Sequence, residues 1–258
     1  MIKQLINKTL GKIGYKLVEV NRAANSVNKE AMLKDNPFGI LPILIDALIK
    51  AEKSPFFIQV GANDGIRLDP VRESVLKHHM RGILIEPLPD IFAQLQKNYK
   101  GQDQLIFELA ALSNTDGSAI LYRVRPDAPV GDWAHGIASF KRQHVVNHLK
   151  HDVSDFDRYI IEEKVPTITV KSLLEKNKLS DIFLLQIDTE GFDFEIIKMF
   201  LNSGVIPKII NFEHAHIKSS ERTECAALLS KIGYKFIFVA GDTLAIHEKA
   251  LENLNNLV

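Results

Sequence analysis

The chain has 258 residues, 46% apolar and 25% charged, with 32 basic side chains against 32 acidic ones and a formal net charge of zero. These values fit a soluble globular protein with one large α/β domain. The charge balance argues against nucleic acid as a partner, which would call for a basic face to neutralise phosphate. The only cysteine, Cys225, excludes a disulfide framework or a cysteine zinc cluster and suits a reducing, cytoplasmic setting.

No apolar run reaches the roughly 20 residues that span a bilayer. The longest, residues 38–49, is broken by Pro42 and Asp46. The first residues lack the apolar core and small-residue cleavage site of a secretory leader. Residues 1–39 read as an N-terminal helical extension, and residues 40–258 as the main domain. Within the extension, residues 1–10 predict a short amphipathic helix with Ile2, Leu5 and Ile6 on one side. Residues 1–17 could thus make peripheral membrane contact, or pack on the domain or on a second copy in a homodimer.

From residue 40 onward strands and helices alternate. A helix is predicted over 40–51 and a doubly buried strand over 56–60, bounded by Pro55 and Gly61. A helix over 70–79 has Asp69 as N-cap and Pro70 at its first position. A strand at 82–86, a helix at 89–99 and strands at 105–107 and 119–124 follow. Residues 125–165 break the rhythm: they are polar, rich in histidine and aspartate, and read as a substrate-covering insertion. Trp133, His135 and Phe140 could contact an acceptor there, and Gly131 and Gly136 allow movement.

Beyond it come a strand at 181–187, a helix at 192–201, a strand at 208–212 and a helix at 220–231 closed by Gly233. Strands at 234–239 and 243–247 end the series. The alternation implies an α/β doubly wound, mostly parallel sheet. The last two strands are linked too closely to be parallel, so they form a C-terminal antiparallel hairpin.

In such sheets the ligand lies beyond the carboxyl ends of the strands, near the switch in strand order. After the first strand stand Gly61, Ala62, Asn63, Asp64 and Gly65, small residues that let the backbone approach a ligand, with two polar side chains among them. The second strand ends in Glu86, whose carboxylate can accept both hydroxyls of a ribose. Pro87 and Leu88 could give apolar contact to an adenine ring, and Ala110 and Ala111 leave room on its other side.

The stretch 186–193 carries three acids, Asp188, Glu190 and Asp193, at a carboxyl edge. Asp188 should point into the cleft, while Glu190 could cap the next helix or bind substrate. After the fifth strand, His214 and His216 would share a face if the segment stays extended, and an imidazole is a suitable base near neutral pH.

Val60–Gly65, Ile85-Glu86-Pro87, 110–113, 165–170 and 187–193, in this order, resemble the FkbM family of S-adenosylmethionine (SAM)-dependent methyltransferases. The resemblance covers roughly residues 55–240. It implies the class I methyltransferase (Rossmann-like) fold, SAM as methyl donor, and a hydroxyl acceptor on a small molecule, often a sugar, glycan or natural product. Gln59 stands where many members carry an acid, and Asp193 where glutamate is commoner. Under this reading the cofactor is held by Gly61–Gly65, Glu86–Leu88, Ala110, Ala111 and Asp188. His214 is the expected general base, with Asp188 and Glu190 orienting the reactants.

Two histidine sets invite a metal. His144, His148 and His151 have helical spacing and could share zinc, but no cysteine or zincin signature accompanies them, and a solvated or substrate-facing helix is the reading taken. His214 and His216 with Asp188 and Glu190 could hold a divalent ion that orients a diol. Neither set fixes a ligand count, so no metal is assigned. A nicotinamide-dependent oxidoreductase and a non-catalytic nucleoside-binding scaffold remain as alternatives; the first lacks the three-glycine spacing.

Overall fold

A computed structural model describes residues 40–239 and 241–255. The expected helix over 1–10 and any membrane or subunit contact by residues 1–17 lie outside these. Among the described residues no helix is long and apolar enough to cross a membrane.

The central sheet has seven strands. Its parallel core is β1 (Phe56–Val60), β2 (Arg81–Ile85), β3 (Leu105–Glu108), β8 (Leu184–Ile187) and β9 (Ile209–Glu213). β10 (Tyr234–Val239) and β11 (Asp242–His247) complete it, in the order β10-β11-β9-β8-β1-β2-β3. The closing pair is antiparallel, as the short connection demands. Its second strand, however, inserts between β9 and β10, so β11 alone runs against the rest. The strand order reverses between β1 and β8, which places the switch point at the Val60 and Ile187 ends.

Both faces of the sheet are covered, so the strands are apolar almost throughout, and β1 is buried at every position. Period-two alternation divides them. Ile58, Ile83, Leu185, Ile210 and Ala245 face α5 (Val170–Asn177), α6 (Asp193–Asn202) and α7 (Ser219–Lys231). Phe57, Leu84, Leu184, Ile209 and Leu244 face α1 (Leu41–Leu48), α2 (Arg72–His78), α3 (Pro89–Asn98) and α8 (Glu248–Asn255). The helix expected from Pro70 starts at Arg72, with Val71 rather than Asp69 as its N-cap; Asp69 Oδ1 instead closes the turn ahead of it, accepting from the N–H groups of Val71 (2.9 Å) and Arg72 (3.0 Å).

Residues 125–165 are more ordered than their composition suggests. β5 (Gly117–Val124) pairs with β7 (Ile160–Ile168) along its whole length, and β4 (Ala111–Leu112) and β6 (Ala138–Ser139) complete a second, four-stranded sheet. Residues 160–165 are therefore strand, and the excursion proper is 125–159. It contains α4 (Arg142–Leu149) and a small core of its own, in which Val124, Ala128, Ala134, Ile137, Val145 and Leu149 are buried together. Alternating charged and apolar residues in β7, with Glu162 and Lys164 exposed and Val165 buried, obscured its strand character.

Candidate active site

A cavity of about 330 Å³ opens at the carboxyl ends of β1, β2, β8 and β9, at the switch point, and the excursion roofs it. That volume lies at the lower end of the range for small-molecule sites. Ser139 Oγ donates to the Glu190 carbonyl (3.1 Å), and the rings of Phe140 and Phe192 meet edge to face at 5.0 Å, fastening roof to floor.

Along one half of the cavity lie Gly61, Ala62, Asn63, Glu86, Pro87, Ala110 and Ala111. Gly61 (φ +77°) has no space for a side chain, since a Cβ would sit 1.8 Å from the Asp188 carbonyl oxygen. Glu86 is buried, with Oε2 accepting from Asn63 N–H and Oε1 from Leu88 N–H, both at 3.0 Å. Burial pushes its carboxyl up to about 7, although those N–H groups favour the charged form. Each oxygen keeps a lone pair for a further donor.

Three of the expected cofactor residues do not reach the cavity wall with their side chains. Asp64 folds back on its own loop, accepting from Ile66 N–H and Arg67 N–H (2.9 Å each) and pairing with Arg67 Nε at 2.7 Å. Against the burial that opposes charge, these donors hold its carboxyl below the usual range. Gly65 serves packing, because a Cβ there would meet Tyr99 Cε2 at 2.5 Å and Leu95 Cδ1 at 2.6 Å. Leu88 is fully buried with Ile91, Ala111, Leu121 and Val165; only its N–H acts on the site, through Glu86.

The other half is acidic and imidazole-rich, with Asp188, Glu190, Glu213, His148 and His216 on its wall beside Trp133. Asp188 is open to the cavity but ringed by protein, and this enclosure, with Glu190, Asp193, Glu213 and Asp242 nearby, pushes its carboxyl well above the usual range. Because Asp188 still touches solvent, the crowding of carboxylates is the firmer of the two causes. Glu213 rises to about 8 through burial and the same neighbours. Asp193 sits beneath the wall, its Oδ2 accepting from Thr189 Oγ1 at 3.1 Å, and burial raises it to about 6.

Glu190 is held at φ +53° beside Gly191 at +89°, a left-handed pair that turns its carboxylate toward α4. Its Oε2 lies 2.6 Å from His144 Nε2, 3.5 Å from His148 Nε2 and 3.9 Å from His216 Nε2. Burial opposes its charge, yet His144 and His148 hold it down at about 2.

His214 departs from expectation. β9 ends at Glu213 and the next residues turn, closed by Ile217 N–H donating to the His214 carbonyl at 3.2 Å. His214 and His216 thus do not share a face. His214 Nδ1 contacts Thr243 Oγ1 at 2.9 Å and its ring meets Phe238, away from the cavity wall. His216 takes the place expected of it.

An amide row escaped the sequence reading. Gln59, Gln186 and Asn211 sit in register on β1, β8 and β9, with Asn211 Nδ2 donating to Gln186 Oε1 at 2.9 Å. All three are buried, Gln59 and Gln186 line the cavity, and Gln59 Oε1 has no partner. The signal was available, since each is a polar amide set among the apolar residues of a buried strand. A polar, buried floor with a free acceptor, a ribose-competent carboxylate and a glycine cradle fits a nucleoside carrying a charged amino-acid tail.

The family described as Methyltransferase FkbM domain matches residues 59–236, more than two thirds of the chain. No curated protein matches significantly. Among solved structures, the chain is similar to the methyltransferase FkbM of Methylobacillus flagellatus, at 13% identity and a TM-score of 0.46. The match covers 75% of this chain and 44% of that one, so the chain spans less than half the length of that relative. It is also similar to an S-adenosylhomocysteine-bound methyltransferase of Podospora anserina, at 10% identity, TM-score 0.43, and 80% and 75% coverage. A third similarity is to an RNA methyltransferase of Salinibacter ruber in complex with S-adenosylhomocysteine, at 12% identity, TM-score 0.37, and 81% and 92% coverage.

Proposed function

Because the chain belongs to the FkbM family of SAM-dependent methyltransferases, we propose that it methylates a hydroxyl oxygen of a small molecule, a sugar, glycan or natural-product intermediate, in a reducing, cytoplasmic setting. The observation that carries this reading is the division of one cavity into a nucleoside half around Glu86 and a proton-accepting half around Asp188, Glu213 and His216. Methyl transfer to a hydroxyl releases a proton, and an acceptor group within reach typically contributes about 10²–10⁴-fold.

The cofactor supplies a methyl group on a sulfonium, already activated for displacement. The chain's part is to align and to dry the reactants, and alignment alone can lower a barrier by about 7–11 kcal/mol. Glu86 would accept the ribose hydroxyls, with Pro87, Ala110 and Ala111 flanking the base. Gly61 and Ala62 would let the tail approach the backbone, and the amide row of Gln59 and Gln186 would receive its polar end. The proton lost by the acceptor hydroxyl would pass to Asp188 or Glu213 in its ionised form; burial and neighbouring carboxylates raise both carboxyls, Glu213 to about 8, so either would hold that proton firmly. The roof from Trp133 to Phe140 covers the cavity and would present an aromatic face to the acceptor.

The test is calorimetric titration with SAM and S-adenosylhomocysteine, wild type against Glu86→Ala, followed by mass analysis of hydroxylated acceptors incubated with SAM. Saturable binding weakened by Glu86→Ala, then a gain of one methylene on an acceptor oxygen, supports the reading. Transfer to nitrogen or carbon, or no binding, overturns it.

A further inference from the structure

We propose that His144, His148, His216 and Glu190 form a binding site for one divalent ion of the zinc class, on the acceptor side of the cavity. The four residues come from three segments: two adjacent turns of α4, the left-handed turn after β8, and the turn after β9. One ligand atom from each lies within 4.8 Å of all the others. Ligand atoms at zinc distances of about 2.0–2.2 Å stand about 3.3–3.6 Å apart in a tetrahedron. The contacts here, 2.6, 3.0, 3.5 and 3.9 Å, bracket that spacing.

Protons alone reconcile the cluster poorly. His144 Nε2 lies 2.6 Å from Glu190 Oε2 and 3.0 Å from His148 Nε2. If its proton points to Glu190, a protonated His148 Nε2 would face another N–H, whereas a bare one would share that single proton and turn its lone pair toward the carboxylate 3.5 Å away. If His148 donates instead, a bare nitrogen lone pair faces the carboxylate. A cation at the centre takes a lone pair from every group at once. Three imidazoles and one carboxylate favour zinc, cobalt, iron or nickel, whereas magnesium and calcium prefer oxygen ligands throughout.

His148, His216 and Glu190 line the cavity, so an ion held there borders the acceptor space, and taking an acceptor oxygen would expand its four-ligand shell to five-coordinate. An ion in this place would bind the acceptor oxygen and set its distance from the methyl group. That role rests on the O-methyltransferase reading; metal binding itself does not.

The test uses the full chain without a histidine tag, stripped by a chelator and titrated calorimetrically with zinc and with magnesium. A parallel titration with cobalt(II) is followed by its visible absorption. Stoichiometric zinc binding, a cobalt spectrum of low coordination number and weak magnesium binding are expected. His148→Ala and His216→Ala should each weaken zinc by at least about 100-fold, since loss of an outer supporting partner already costs about 10–100-fold. His151→Ala should change nothing. A cooperative thermal melt certifies each variant, and Glu190→Gln replaces any that does not fold. Absence of saturable zinc binding, or zinc binding indifferent to these substitutions, overturns the proposal. Zinc bound at this site by a chain that methylates no oxygen would leave the metal site standing and reject the O-methyltransferase reading. Methyl transfer by a chain that binds no zinc would do the reverse.

Discussion

Gly61 and Asp188 approach one another more closely than any side chain would allow, with a Cβ on Gly61 placed 1.8 Å from the Asp188 carbonyl oxygen. Asp188 N–H in turn donates to the Val60 carbonyl at 2.9 Å, so the carboxyl ends of β1 and β8 are pinned together at the floor of the cavity. Gly61→Ala would have to part these strands and hold alanine at φ +77°. Overpacking and left-handed strain together should cost about 3 kcal/mol or more. For a domain of this size that corresponds to a melting point lower by about 6–12 °C. Unchanged melting would mean the strand ends separate freely.

Glu86, as the proposed ribose carboxylate, should link cofactor affinity to pH. Its folded carboxyl stands at about 7 against an ordinary 4.5, so the folded chain holds this proton more tightly than the unfolded one. Its contribution to stability is therefore full below pH 4.5 and is lost as pH rises through 7. Cofactor binding runs the opposite way, because the ionised carboxylate is the form that accepts two ribose hydroxyls. Affinity for S-adenosylhomocysteine should rise by up to about tenfold per pH unit below 7 and level off above it. Calorimetry across that range, repeated with Glu86→Gln, checks both slopes. A wild-type affinity flat with pH would remove Glu86 from the ribose.

Arg123 fastens the second sheet to the main domain. It is 2% exposed, and its guanidinium takes Asp90 on α3 through two contacts (2.7 and 2.9 Å) and Glu163 on β7 through a third (2.8 Å). Asp90 and Glu163 are partly solvated, so losing the cation strands them less than two buried charges would be. Arg123→Met should cost about 2–3 kcal/mol in chemical denaturation. Arg123→Lys should recover little, since an ammonium cannot reproduce the bidentate contact.

The two histidines after β9 should separate in activity assays. His214 lies against Thr243 and Phe238, while His216 lines the cavity. His214→Ala is expected to keep most of the turnover, and His216→Ala to lose about 10²–10⁴-fold, whether His216 serves as base or as ligand. The reverse order would show that the turn at 214–217 reorganises when the acceptor binds.

The elements that carry the site were largely legible in the sequence. Apolar runs ending in glycine or an acid located β1, β2, β8 and β9 to within a few residues, because burial on both faces leaves these strands apolar apart from one amide each in β1, β8 and β9. Glu86 could be singled out because spacing along a strand–helix–strand unit sets where a carboxylate emerges. β7 and α5 were missed, since a strand on the second sheet alternates in polarity and α5 follows it after Thr169 alone, with neither glycine nor proline to mark the boundary.

By itself the sequence determined the fold class, the place of the glycine loop after β1 and the pool of residues able to hold protons or metal, all properties of short-range period and spacing. Tertiary structure alone decided which members of that pool meet. His144 and His148 belonged to one candidate set and His216 and Glu190 to another, and only the folding of the excursion over the switch point joins them. One turn, closed between His214 and Ile217, sends His214 to the hairpin and His216 to the cavity. Such choices hang on a single backbone rotation and on contacts between segments more than 40 residues apart, which leave no periodic trace in the chain.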